Sequence, residues 1–148
     1  MTTSLTACNS EDPASFTSIR NTSTVTGGVT PLLRIEGAAA FAAALALYGH
    51  AGFSWPIFAL CFLAPDLVML AYLGGPRIGA AGYNLVHTYT LAIVLTLAGL
   101  FGGLPAATAG GLILIAHIGS DRALGFGLKY ASGFGDTHLR RAGRAESA

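Results

Sequence analysis

The sequence predicts an all-α fold, a four-helix transmembrane bundle with both termini in the cytoplasm. Three observations carry that expectation. Hydrophobic residues make up 53% of the 148-residue chain and charged residues only 10%, where a soluble domain carries roughly 25% charged. Four apolar stretches, each near the roughly 20 residues that a span needs, are separated by turns rich in glycine or proline. All eight Lys and Arg residues fall on one side of that arrangement.

Residues 1–31 come first and differ from the rest. Thirteen of the first thirty are Ser or Thr, with no apolar run, which predicts a disordered polar tail. The segment has neither the basic start nor the apolar core of a secretory signal. Span one is expected at about 32–48, rich in Ala and Leu, with Pro31 suited to its first turn. Gly49-His50-Ala51-Gly52 turns the chain. Span two is expected at 53–73, with Trp55 as an interfacial anchor, a kink near Pro65 and a stop at Gly74-Gly75-Pro76. Span three covers 78–101, span four 106–121, with Gly102-Gly103-Leu104-Pro105 between them. Leu91-Ala92-Ile93-Val94-Leu95 is apolar all round, which opposes a soluble amphipathic bundle. A glycine-punctuated segment, 122–139, follows as a cytoplasmic mouth, and 142–148 is a second tail; the membrane domain as a whole is 32–141. Cys8 and Cys61 make no metal or disulfide pattern.

Four spans put both ends on one side. Arg20, Arg34, Arg77, Arg122, Lys129, Arg140, Arg141 and Arg144 all lie there, and the two loops on the other side carry no basic residue but His50. By the positive-inside rule that side is cytoplasmic, which predicts a multi-pass protein of the inner membrane.

The same half of the bundle holds the polar residues. Glu36 lies about one turn into span one, and Asp66 roughly 11 Å before the end of span two. Asn84 and His87 lie roughly 10–15 Å into span three, and His117 and Asp121 sit at the end of span four. Ionisable groups in hydrocarbon are costly and mark functional sites. His117 and Asp121 are i,i+4, and Asn84 and His87 are i,i+3, so each pair shares a helix face. Imidazoles and carboxylates from facing helices build metal sites in bundle cores. They equally build proton relays. Taken singly, each residue also has a structural reading: His87 as a packing histidine, Asp66 paired with Arg77 or Arg122, Glu36 paired with Arg34, Asn84 as interhelical glue.

The stretch from Leu32 to Arg141 resembles the DUF4260 family, small bacterial integral membrane proteins of unknown function. The resemblance rests on Leu33-Arg34-Ile35-Glu36-Gly37, Phe62-Leu63-Ala64-Pro65-Asp66-Leu67, Gly75-Pro76-Arg77-Ile78-Gly79, Tyr83-Asn84-Leu85-Val86-His87-Thr88-Tyr89, His117-Ile118-Gly119-Ser120-Asp121-Arg122, Gly125-Phe126-Gly127-Leu128-Lys129-Tyr130 and Thr137-His138-Leu139. It implies a membrane protein whose typical residues include the polar layer, and it supplies no activity.

Three functions compete. In a metal-dependent membrane enzyme, Asp66, His87, His117 and Asp121 are the metal ligands. Glu36, Asn84, Arg122, Lys129 and His138 then supply acid–base or substrate-binding groups. Nitrogen and oxygen donors without thiolate suit iron, zinc or manganese. Lys129 or Arg122 would meet a small anionic substrate from the cytoplasm. The alternatives are a structural or partner-binding protein cemented by the polar layer, and a proton-coupled carrier or channel subunit. The enzyme is favoured over the carrier because the layer is one-sided: a pocket needs one opening and a pathway needs two. The expected partner is the lipid bilayer rather than nucleic acid. Four spans enclose a narrow centre, which leaves room for a site shared between protomers of a homo-oligomer.

Overall fold

A computed structural model describes residues 29–130, all of whose regular structure is helical. The elements are α1 (Val29–His50), α2 (Trp55–Cys61), a 3-10 helix (Ala64–Gly74), α3 (Pro76–Val86), α4 (Tyr89–Phe101) and α5 (Pro105–Leu124). Most of the expected tail at 1–31, the end of the mouth segment with His138, and 142–148 lie outside the described residues.

Proline and glycine punctuate the chain where the sequence says they should. Pro31, Pro56, Pro76 and Pro105 each stand in the first turn of a helix, where a missing N–H costs nothing. Gly52, Gly75, Gly103 and Gly125 all have positive φ and each follows or closes a helix. At Gly125 (φ 91°) the chain leaves α5 in the left-handed region. There the Gly125 N–H donates to the Arg122 carbonyl at 3.0 Å and the Phe126 N–H to the Asp121 carbonyl at 2.7 Å. Those bonds satisfy carbonyls that the helix end would otherwise leave open.

Two of the four expected spans are broken. Pro65 has no N–H to give the Cys61 carbonyl, so α2 ends at Cys61. The chain resumes as 3-10 from Ala64, for 11 residues, where such winding seldom exceeds about four. The kink expected near Pro65 is thus a change of helix type. Span three, expected as one helix over 78–101, is two. α3 stops at Val86, and Thr88 takes extended backbone (φ −103°, ψ 136°) and caps α4, its hydroxyl accepting from the Thr90 N–H at 3.4 Å. The two helices meet at 41°. No proline or glycine marks this break, and so the apolar run reads as continuous.

α5 is the centre of the molecule. Gly111 to Leu114 and Ala116 to Gly119 are buried, whereas no residue of α2 or the 3-10 helix is. α1 and α4 both pack on α5, and α3 packs on the 3-10 helix. The α1–α5 crossing is close because both sides are glycine: a Cβ on Gly119 would lie 2.8 Å from the Gly37 carbonyl oxygen and 2.7 Å from the Phe41 nitrogen. One core cluster joins Tyr48 to Leu112 and Ile113, the other Ala92 to Leu114 and Ile118.

Val29–His50 and the stretch Trp55–Gly74 are long and apolar enough to cross a membrane, and the α3–α4 pair makes a third if it counts as one bent span. Many of their large apolar side chains face outward, among them Leu63, Leu67, Leu70, Leu73 and Val94. α5, expected as the fourth span, is not among them. Its polar last turns, with His117, Asp121 and Arg122, lower its mean hydropathy, and the protein itself surrounds it.

Candidate functional site

α3 ends where α5 ends, and Asp66 opens the 3-10 helix beside them. The result is one cluster of four side chains. His87 Nε2 and His117 Nε2 are 3.1 Å apart. Asp66 Oδ1 lies 3.4 Å from the first and 3.5 Å from the second. Asp121 Oδ2 lies 3.9 Å and 3.8 Å from the same two nitrogens. Three donor atoms, from Asp66, His87 and His117, therefore converge, and Asp121 stands beside the two imidazoles.

The two imidazoles are buried, at 2% exposure each, while Asp66 is 42% exposed and Asp121 19%. The cluster is thus closed on the histidine side and open on the Asp66 side. His87 Nδ1 lies 3.0 Å from the Tyr83 carbonyl oxygen, which accepts only a hydrogen, so Nδ1 carries the proton and a neutral His87 presents the lone pair of Nε2. Tyr83 also stacks on the His87 ring (centroids 3.7 Å apart, 11° between planes) and its hydroxyl donates to Asp121 Oδ2 at 3.3 Å. Phe62 packs edge-on against the His117 ring, whose Nδ1 is buried with no hydrogen-bond partner among the described residues.

The distances can be compared with coordination geometry. Metal–nitrogen bonds of about 2.0–2.1 Å put tetrahedral ligand atoms about 3.3 Å apart and cis octahedral ones about 2.9 Å apart. The observed separations of 3.1, 3.4 and 3.5 Å among His87, His117 and Asp66 lie in that range. Asp121 stands a few tenths of an ångström wider. Asp66, His87 and His117 form a group able to hold a metal ion.

The other predicted residues surround this cluster rather than enter it. Asn84 grips the segment after α5: its Nδ2 donates to the Lys129 carbonyl at 2.8 Å, and its Oδ1 accepts from the Lys129 N–H at 2.7 Å. That pair lays the mouth segment across α3. Lys129 Nζ then stands 4.6 Å from the Tyr83 ring centroid and 5.5 Å from that of Tyr72. Burial pushes its ammonium below the usual lysine range, and Asp66 and Asp121 pull against that shift. Arg122 donates to the His87 carbonyl at 3.3 Å and the Phe126 carbonyl at 3.4 Å, capping the broken end of α3. Glu36 is exposed on α1. Arg34, the partner the sequence offered it, donates to the Ala123 carbonyl at 2.8 Å. Asp66 stands against the two histidine rings.

Sequence reasoning assigned no role to Tyr83 or Phe62. The signal for Tyr83 is its i,i+4 spacing to His87 on α3; Phe62 reaches His117 only through the tertiary fold.

Fold and cluster together define an all-helical protein with candidate membrane spans and a buried His/Asp centre. A family model described as a domain of unknown function, DUF4260, matches residues 30–142, and the chain belongs to that family. No curated protein and no solved structure matches the chain.

Proposed function

We propose that this chain is a multi-pass membrane protein that binds one divalent metal ion between His87, His117, Asp66 and Asp121 and uses it as the centre of an enzyme open to the cytoplasm. The observation that supports this reading is the convergence of two imidazole Nε2 atoms and a carboxylate oxygen at 3.1–3.5 Å. Charge supports it as well. As metal ligands the two carboxylates would be ionised and the two imidazoles neutral, a net −2 that a dication cancels where the surroundings are apolar. The His87–Tyr83 carbonyl bond is the outer-shell contact that aims a ligating imidazole.

Bound there, the metal would polarise a substrate oxygen or lower the pKa of a water on its open side. The chain's own groups divide the remaining tasks. Asp66 faces the opening and is placed both to ligate and to take a proton. Tyr83 fixes Asp121. Lys129, held over the opening by Asn84, offers a positive charge to an anionic substrate. His138 belongs to the same mouth segment by sequence. Iron, zinc and manganese all suit this donor set.

One observation favours a second reading, a structural cement. A separation of 3.1 Å is also a hydrogen bond between a protonated and an unprotonated Nε2. Metal content by mass spectrometry on detergent-purified protein separates the two. The wild type is set beside His87→Ala/His117→Ala and beside Asp66→Asn, which keeps the side-chain shape. Stoichiometric iron, zinc or manganese that is lost in the double variant and weakened in Asp66→Asn supports the metal centre. A well-folded wild type without metal sinks it in favour of the cement.

A further inference from the structure

A second feature adjoins the cluster. Between α2, the start of the 3-10 helix and α5 runs a partly open cleft of about 580 Å³, walled almost wholly by apolar atoms. Its floor on α5 is made of Ala106, Ala109, Gly110 and Ile113; Cys61 and Pro65 close it opposite. This volume is in the range of small-molecule sites, roughly 300–1,000 Å³.

The cleft and the cluster lie along one face of α5. From Ala106 through Ala109 and Gly110 to Ile113, His117 and Asp121 the spacing from turn to turn is three or four residues, so they share a single face of α5. That face is small and apolar for its first turns and becomes ligand-bearing in its last two. On the opposite wall the change falls between neighbours: Pro65 lines the cleft, and Asp66 belongs to the cluster. Cys61 lines the cleft while the next residue, Phe62, packs on His117.

We propose that the cleft holds the hydrocarbon tail of an amphiphile whose anionic head lies at the His/Asp cluster. This deepens the metal-centre reading and rests on it for the role of the head. The dimensions favour a single linear chain. From Pro105 to Leu114 the cleft runs about 14 Å at the helical rise, and a helix about 10 Å across would need roughly 1,000 Å³ over that length. The cleft offers little more than half of that, so a helix of a second copy does not fit. Polarity favours a particular orientation. The tail points from the cluster toward the opposite end of the molecule, as the tail of a lipid points from its headgroup toward the bilayer centre. At the head end Lys129 adds a cation beside the Tyr83 ring.

The test uses hexadecanoic acid carrying a diazirine at mid-chain, photolysed with the full-length purified protein and mapped by peptide mass spectrometry. Metal content is measured on the same samples. The expected result is adducts on Ile57, Cys61, Ala109 or Ile113 that unlabelled hexadecanoic acid competes away. Those adducts are lost in Ala109→Phe, which fills the cleft, and in Ala106→Phe, which blocks its exposed outer end and spares the core. Metal content stays at the wild-type level in at least one of the two, which shows a folded protein. Adducts spread over outward side chains such as Leu32, Leu67 and Val94, without competition, overturn the proposal. So does cleft labelling that survives both variants. Competed cleft labelling in a wild type that holds no metal supports the tail site and overturns the metal centre instead.

Discussion

Replacing Tyr83 by Phe removes one hydroxyl and leaves most of its surroundings intact. The ring keeps its stack on His87, and the Tyr83 carbonyl still accepts from His87 Nδ1. The bond lost is the one to Asp121 Oδ2 at 3.3 Å. Outer-shell contacts of this kind typically carry about 10–100-fold in metal affinity. At 3.3 Å the bond is long for O–H···O, whose usual length is about 2.7–2.8 Å, so the effect belongs at the lower end of that range. Tyr83→Phe is therefore expected to weaken metal binding about tenfold, or about 1.4 kcal/mol. A chelator-competition titration at fixed pH reads this directly, with thermal unfolding of metal-free protein as the companion measurement. If Asp121 is a ligand, affinity falls while the metal-free protein changes by no more than about 1 kcal/mol, the ordinary worth of a hydrogen bond. Unchanged metal affinity in Tyr83→Phe would refute the assignment of Asp121 to the metal and leave the three-residue group Asp66, His87 and His117.

Three further outcomes are expected. Asn84→Ala removes both bonds to Lys129, at about 1 kcal/mol each. Hydrogen exchange at the Lys129 amide should then speed up by one to two orders of magnitude, roughly, with metal content unchanged; unaltered exchange would show that other contacts hold the segment. Gly119→Ala puts a methyl against the Gly37 carbonyl and the Phe41 nitrogen, so α1 and α5 must part, at about 1–3 kcal/mol; a melting temperature equal to wild type would contradict the close crossing. Metal binding should weaken as pH falls into the range where imidazoles take up protons, because protons compete with the metal for the ligating nitrogens. The apparent affinity there falls by as much as about two orders per pH unit if both histidines ligate, and a titration at stepped pH with a slope near zero would exclude them.

Much of the candidate site was legible because of where polar residues are tolerated. Asp66, His87, His117 and Asp121 interrupt apolar runs, and helical rise alone puts them at similar depth. The structure brings those four together. Depth says nothing of azimuth, however, and that is where Glu36 departs: it stands at a similar level yet on the outer side of α1. Asn84 shares a helix face with His87, as its spacing requires, but spends both polar atoms on the Lys129 backbone. In the fold, proline and glycine marked every turn, while the break at His87–Thr88 carries neither and was invisible. Its causes are tertiary: Arg122, distant in sequence, caps the His87 carbonyl, and the His87 ring is held by His117. α5 illustrates the converse. Its hydropathy is low for a span because its last turns carry the site, and a helix wrapped by its neighbours tolerates that.

The break and the site have one origin. A helix that ends inside an apolar region leaves carbonyls that must find donors. Here three ends converge: the last turn of α3, the last turn of α5, and the start of the 3-10 helix after Pro65. Arginine serves the first two, since Arg122 donates to the His87 and Phe126 carbonyls and Arg34 to that of Ala123. Cations near helix C-termini also favour the negative end of the helix dipole. The same breaks free His87 from continuous helix geometry, so that its ring can face His117 on α5 across the gap. Two functions of charge meet at this place and need separate residues. Arg34 and Arg122 donate to backbone carbonyls. Among the described residues the two carboxylates stand against the histidines and a tyrosine hydroxyl, with Lys129 and Arg122 near enough to act on them through charge. On the metal-centre reading proposed above, a dication held there would balance the charge of those two carboxylates.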